Sequence, residues 1–313
     1  MLIVGEVRTS LLRTSSRLGR AEVVDLLGLK PGQRVLVTDR PVNRSVSPDV
    51  MVGVDCRLAT EPLTRARGIG TVAAHAVVTG GLVLQSSAKA RLEKAAANHR
   101  LAWAHYASQR GVVEVISRAD VPQLARGHRT VVPDGAVLDL GAVSEYLIGN
   151  VQRRPQLDHQ IAMRSRSTRV RWTATVAEGA DPAVRLHVDD DVRRTVELSL
   201  PPALLETAER FCEDLALHDW LITTLAGAID QADRDMALGV DPIKTLTSAV
   251  ERLVHLWMPG AHVDLPLRSL WAALETSPGF SLQWNAQVAR IRDLIAVRTL
   301  EALERVGQHD ASW

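Results

Sequence analysis

The chain has little cysteine, little lysine and no long apolar run. Its two cysteines, Cys56 and Cys212, fall one in each half of the 313 residues. That excludes a disulfide framework and fits reduced thiols in a cytoplasmic protein. No apolar stretch approaches the ~20 residues that cross a bilayer. The opening Met1-Leu2-Ile3-Val4-Gly5-Glu6 is charged too early for a secretory signal. Internal repeats and low-complexity tracts are absent as well.

Complete catalytic signatures are also missing. The sequence holds no phosphate-cradling G-x-x-x-x-G-K-[ST] loop, no G-x-S-x-G elbow and no H-E-x-x-H pair. Partial matches have simpler readings. Gly68-Ile69-Gly70-Thr71-Val72-Ala73 fits a loose dinucleotide pattern, but no strand precedes it and no helix follows, so it reads as a loop. Ser86-Ser87-Ala88-Lys89 has the S-x-x-K spacing of serine acyl-enzymes without their companion motifs, so Ser87 reads as the cap of a helix over 87–98. His218-Asp219 lacks the second His and Asp of the HD phosphohydrolases and reads as an N-cap before Trp220. Asp230, Asp233 and Asp235 read as a solvated acidic face. No cofactor and no metal are expected.

Charge is divided unevenly. Arginine outnumbers lysine 33 to 4. Residues 1–200 carry 28 Lys and Arg against 20 Asp and Glu, a balance of +8, while residues 201–313 carry 9 against 16, a balance of −7. A GC-rich coding sequence would favour arginine everywhere, but it would not confine the surplus to one half. Such asymmetry bears on partners and assembly.

Periodicity changes at the same place. Before Pro201-Pro202 the chain reads as mixed β and α. Strands are expected over 2–12, 34–38, 112–116 and on either side of Thr79-Gly80-Gly81, with a helix over 143–152. The clearest strand is 168–176, where Val170, Trp172, Ala174 and Val176 alternate with Arg169, Arg171, Thr173 and Thr175. Alternation at Val184–Val188 and Val196–Leu200, with a turn at Asp189-Asp190-Asp191, completes an expected three-stranded antiparallel meander over 168–200. Its outward face would carry Arg169, Arg171, Arg185, His187 and Arg193.

After Pro202 the period is 3.6, and five amphipathic helices are expected. They contain five of the seven tryptophans, mostly spaced as core residues. The fold expectation is therefore α+β: a basic mixed domain over 1–200 with an antiparallel sheet, and an acidic helical bundle over 201–313.

The densest run of positive charge is 153–171, with Arg153, Arg154, Arg164, Arg166, Arg169 and Arg171 against Asp158 alone. Guanidinium forks suit phosphates and carboxylates. With Arg185 and Arg193 these side chains form the candidate anion- or partner-binding set. The inward Trp172 deprives that face of a base-stacking platform, which favours an acidic protein surface over single-stranded nucleic acid.

Four segments carry a resemblance: Val4-Gly5-Glu6-Val7-Arg8-Thr9, Gly53-Val54-Asp55-Cys56-Arg57-Leu58, Arg67-Gly68-Ile69-Gly70-Thr71-Val72 and Leu84-Gln85-Ser86-Ser87-Ala88. Together they resemble an uncharacterised actinobacterial family, mostly over the first 170 residues. Members are encoded beside a variant P-loop ATPase-like protein and a methyltransferase-like protein. The resemblance brings no catalytic residue and implies work within a multiprotein system. Three readings follow. The first is a non-catalytic cytoplasmic subunit that forms homo- or hetero-oligomers through its basic and acidic surfaces. The second is a nucleic-acid or phosphorylated-ligand binder. The third is an enzyme with a pocket between the two halves.

Overall fold

The computed structural model describes residues 1–97, 99–161, 163–177 and 181–310, with side chains through residue 301 of the last helix. The fold is α+β. Its strands are β1 Leu2–Leu11, β2 Leu36–Thr38, β3 Arg44–Val46, β4 Val50–Arg57, β5 Ala66–Thr79, β6 Val83–Lys94, β7 Val112–Ser117, β8 Thr168–Val176, β9 Ala183–Val188 and β10 Arg193–Leu200. Among the described residues these form one mixed sheet in the order β2-β3-β5-β7-β6-β1-β8-β10-β9, with β4 also paired to β5. The helices are α1 Arg20–Leu26, α2 Trp103–Ser108, α3 Val121–Thr130, α4 Leu140–Gln152, α5 Ala208–Ala237, α6 Ile243–Leu253, α7 Arg268–Thr276 and α8 Phe280–Asp310. None of the described helices is long and apolar enough to cross a membrane.

Helices cover both faces of the sheet. On one face α1, α3 and α4 pack through Leu26, Leu124 and Leu147 against Leu2, Val4, Ala74, Ala88 and Ala90. On the other, Ile3, Val7, Val170 and Trp172 share a core with Phe211, Leu215 and Trp271. Beyond the end of β1 and the start of β6, Trp220, Leu225 and Ile229 of α5 pack with Leu246, Trp284, Val288 and Ile291 of α6 and α8. The boundary near residue 200 is thus a change from strand to helix, and the two halves bury apolar surface against each other. Aspartates mark several helix starts: Asp120 accepts from Gln123 N, Asp139 from Ala142 N and Asp241 from Ile243 N.

Several expectations change. The 168–200 region is no antiparallel meander. β9 and β10 form the expected hairpin across the aspartate turn, but β10 pairs parallel with β8, and β9 lies at the outer edge. β8 is held between β1 and β10 and is buried on both faces, so alternation along it identified faces and not neighbours. Residues 87–94 are strand, not helix. β6 lies between β5 and β1, and this pairing overrides the helix propensity of its Ala, Lys, Arg and Glu residues.

The G-x-G-x-x-A stretch lies within β5, where a Cβ on Gly70 would stand 2.0 Å from Val112 O. β5 and β6 diverge there, and β7 fills the gap, antiparallel to one and parallel to the other. Gly5 of the resembling segments has a similar role, since a Cβ there would stand 2.3 Å from the Trp172 ring. Finally, α5 is one continuous helix through His218-Asp219, so Asp219 is no N-cap.

Candidate functional site

Two buried ionic clusters lie on opposite faces of the sheet. The first is built from the arginine run. Glu6 lies opposite Arg171 in the β1–β8 register, and Arg8 opposite Arg169. Period two therefore sends all four side chains to the α3/α4 face. Glu6 is fully buried, with Oε1 3.0 Å from Arg169 Nε and 3.7 Å from Arg8 Nε, and Oε2 3.2 Å from Arg171 Nε. Arg171 is buried too and donates to the carbonyls of His128 and Val131, at 3.1 and 3.0 Å. Burial, reinforced by Arg171, pushes His128 down to about 3. Glu6, His128 and Arg171 border a cavity of about 20 Å3, room for roughly one water.

Of the expected basic outer face, Arg171 is therefore buried and Arg169 half-buried beneath the α3/α4 layer, while Arg185 and His187 of β9 stay exposed. The eight expected arginines are not brought together. Arg169 and Arg171 bind Glu6. Arg193 pairs with Asp189 at 3.1 Å and Arg166 with Asp191 at 3.4 Å. Arg153 donates to Asn150 Oδ1, and Arg154 to the carbonyls of Asp25 and Gly28 at the end of α1. Arg164 and Arg185 are exposed, with no side-chain partner among the described residues.

The second cluster, on the α5 face, was not anticipated. His75 projects from β5 between two carboxylates: Nε2 is 2.6 Å from Glu213 Oε1 and Nδ1 is 3.3 Å from Asp49 Oδ1. Glu209 Oε1 stands 3.8 Å from Nδ1. Arg44 of β3 binds Glu213 Oε2. Lys89 of β6 binds Glu209 Oε2 at 2.8 Å, and Ser87 donates to Glu209 Oε1 at 2.8 Å. Gln85 adds a hydrogen bond to the Glu213 carbonyl, at 2.8 Å. Ser87 and Lys89 thus share one strand face and one carboxylate, whereas Ser86, the serine of the S-x-x-K spacing, lies on the opposite face of β6 and is not brought to Lys89.

Burial alone would lower the pKa of His75, but Glu213, Glu209 and the bond to Asp49 outweigh it and raise it well above the ordinary value. Burial likewise works to raise Glu213, yet His75 and Arg44 hold it down at about 2. His75 is therefore an imidazolium that donates from both nitrogens. His75, Glu209 and Glu213 also place potential ligand atoms within 4.8 Å of one another. Asp49 behind the imidazole matches the outer-shell support of metal-binding histidines. The carboxylates are already matched, however: Arg44, His75 and Lys89 balance Asp49, Glu209 and Glu213. A divalent ion would have to displace the imidazolium proton with two cations in contact. The arrangement fits a charge-neutral clamp better than a metal centre.

Further along α5, Asp219 accepts from Arg194 Nε at 2.8 Å. His218 donates from Nδ1 to Asp214 O at 2.7 Å and accepts at Nε2 from Met258 N at 3.2 Å. The His218-Asp219 pair therefore points two ways and makes no metal site. Asp233 pairs with Arg290 at 2.9 Å and Asp235 accepts from Gln231, while Asp230 borders an open α5/α8 groove of about 250 Å3.

Sequence reasoning missed the second cluster because its members are scattered over 170 residues. A local signal did exist. Glu209 and Glu213 lie one turn apart on a helix face shared with Ala208, Cys212 and Ala216, all buried. Carboxylates on such a face require cations opposite them. No family model, curated protein or solved structure matches this chain.

Proposed function

We propose that this chain is a non-catalytic subunit of a multiprotein assembly and that it engages partners through its helical layer. One observation carries the reading. The helical layer is fastened to the sheet by paired charges, yet it holds Leu238, Val240, Leu282, Val297 and Leu300 in solvent. Leu238 and Leu282 are 78% and 76% exposed. Five exposed apolar side chains on one braced helical layer favour a protein partner.

The charge split has a smaller role than its size suggests. Arg44, Lys89, Arg91 and Arg194 pair with Glu213, Glu209, Glu206 and Asp219 across the two halves. The implied partners are the other proteins of the same system, among them a P-loop ATPase-like protein, in the cytoplasm. Native purification and sedimentation at low and high salt test this. Apolar docking predicts a complex that survives high salt. A monomer at every concentration and ionic strength, with nothing co-purifying, would sink the reading.

A second reading is binding of a polyanion such as nucleic acid, favoured by one end of the sheet. Arg13 N bonds to Gln152, next to Arg153; Arg252 donates to Ser15 O, and Arg17 contacts His255. Among the described residues no carboxylate pairs with Arg13, Arg17, Arg153, Arg164 or Arg252. Arg169 and Arg171 are engaged by Glu6 and drop out of that surface. Affinity for duplex DNA should fall steeply with salt. Binding left unchanged by the triple substitution Arg13→Ala, Arg153→Ala, Arg164→Ala would exclude this site.

A further inference from the structure

The outer face of α8 carries a self-complementary stripe. Leu282, Ala286, Ala289, Asp293, Ala296 and Leu300 are all exposed. By helical geometry they lie on the side opposite Trp284, Val288 and Ile291, which are buried against α5 and α6. Their spacing of four, three, four, three and four residues is that of a two-helix seam. The pattern also reads the same in both directions. Reversal about position 291 places Leu282 on Leu300, Ala286 on Ala296 and Ala289 on Asp293. An antiparallel second copy of the same helix, related by a two-fold axis, meets all six positions at once. The alanines let the two backbones approach, and the leucines flank them on either side.

Charge supports the same occupant. Arg292 and Asp293 have no side-chain partner among the described residues, whereas neighbouring Arg290 is held by Asp233 at 2.9 Å. In the antiparallel register Asp293 faces position 289 of the second copy, one turn from that copy's position 292. The arginine there can reach the Asp293 carboxylate, and the axis repeats the pair.

We infer that two copies of this chain pair through the outer faces of α8, antiparallel and centred on Ile291. The inference deepens the assembly reading by naming one partner, a second copy. Sedimentation equilibrium of the full chain should show a dimer. Leu282→Lys with Leu300→Lys should weaken it by at least about tenfold. Circular dichroism should stay unchanged, since both sites are exposed. Asp293→Arg should weaken the dimer, and adding Arg292→Asp should restore it.

Register is tested by oxidation in a Cys56→Ser background. Ala286→Cys with Ala296→Cys should form covalent dimers, while Ala289→Cys alone should not. Three results would overturn the inference: a monomer at about 100 μM, a dimer indifferent to the double lysine variant, or efficient cross-linking through Ala289→Cys alone, which marks a parallel pair. A monomer that still enters a larger complex overturns this pairing and leaves the assembly reading standing. A dimer that joins nothing else supports the pairing and counts against that reading.

Discussion

The two faces of one sheet solve the problem of buried charge differently. On the α3/α4 face a single fully buried carboxylate, Glu6, serves three arginines, and a neutral His128 lies beside them. All its members come from the first 171 residues, so the cluster is internal to the basic half. On the α5 face three carboxylates meet three cations, and the imidazole between them is protonated. That cluster draws on both halves and ties them together. Burial alone therefore does not decide the state of a histidine. His128 has an arginine neighbour and loses its proton; His75 has carboxylates on both sides and keeps it.

The largest break in this comparison should come from Glu6→Gln. It leaves Arg171 buried without its carboxylate, at a cost of roughly 3–5 kcal/mol in urea unfolding. A loss below about 1 kcal/mol would mean that Arg171 escapes to solvent. Glu213→Gln should cost less, roughly 2–3 kcal/mol, because Asp49 still neutralises His75 and Arg44 lies nearer the surface.

Next in size, the two histidines should tilt the pH profile of stability in opposite directions. The folded pKa of His75 is raised, so its contribution is fully present below about 6.5 and is lost as pH rises through the raised value. The folded pKa of His128 is lowered to about 3, so its contribution is present above about 6.5 and is lost as pH falls toward about 3. His75→Gln should flatten the alkaline limb of the unfolding profile and His128→Gln the acid limb. Histidine Cε1 titrations by NMR give an independent check, and a His75 that titrates near 6.5 would remove the contrast. The smallest effect belongs to Arg166→Ala, whose pair with Asp191 is exposed on both sides. It should stay within about 0.5 kcal/mol, which would separate paired arginines at the surface from those beneath helices.

Much of the architecture was legible in the order of residues. The first strand, the hairpin at Thr79-Gly80-Gly81, the α4 helix and the switch near Pro201-Pro202 all follow from periodicity and turn chemistry. Errors arose where local preference competed with neighbours. Helix-forming residues at 87–94 became strand between two partners, and an alternating β8 took β10 and not β9 as its neighbour. Neither ionic cluster could be read from sequence, because Glu6 lies 165 residues from Arg171 and His75 lies 138 from Glu213. The arginine run was visible, but its alternation said only that Arg169 and Arg171 share a face, and not that α3 and α4 cover it.

By itself, then, the sequence determined the repeating periods, the faces they define, the inward place of Trp172 and the division of charge near residue 200. These are local properties of a backbone with periods of 2 and 3.6 residues. Only the tertiary structure decided which charges meet, which are removed from water and which remain on the surface. Pairing energy depends on distance and desolvation between residues far apart in the chain, and no local pattern encodes either.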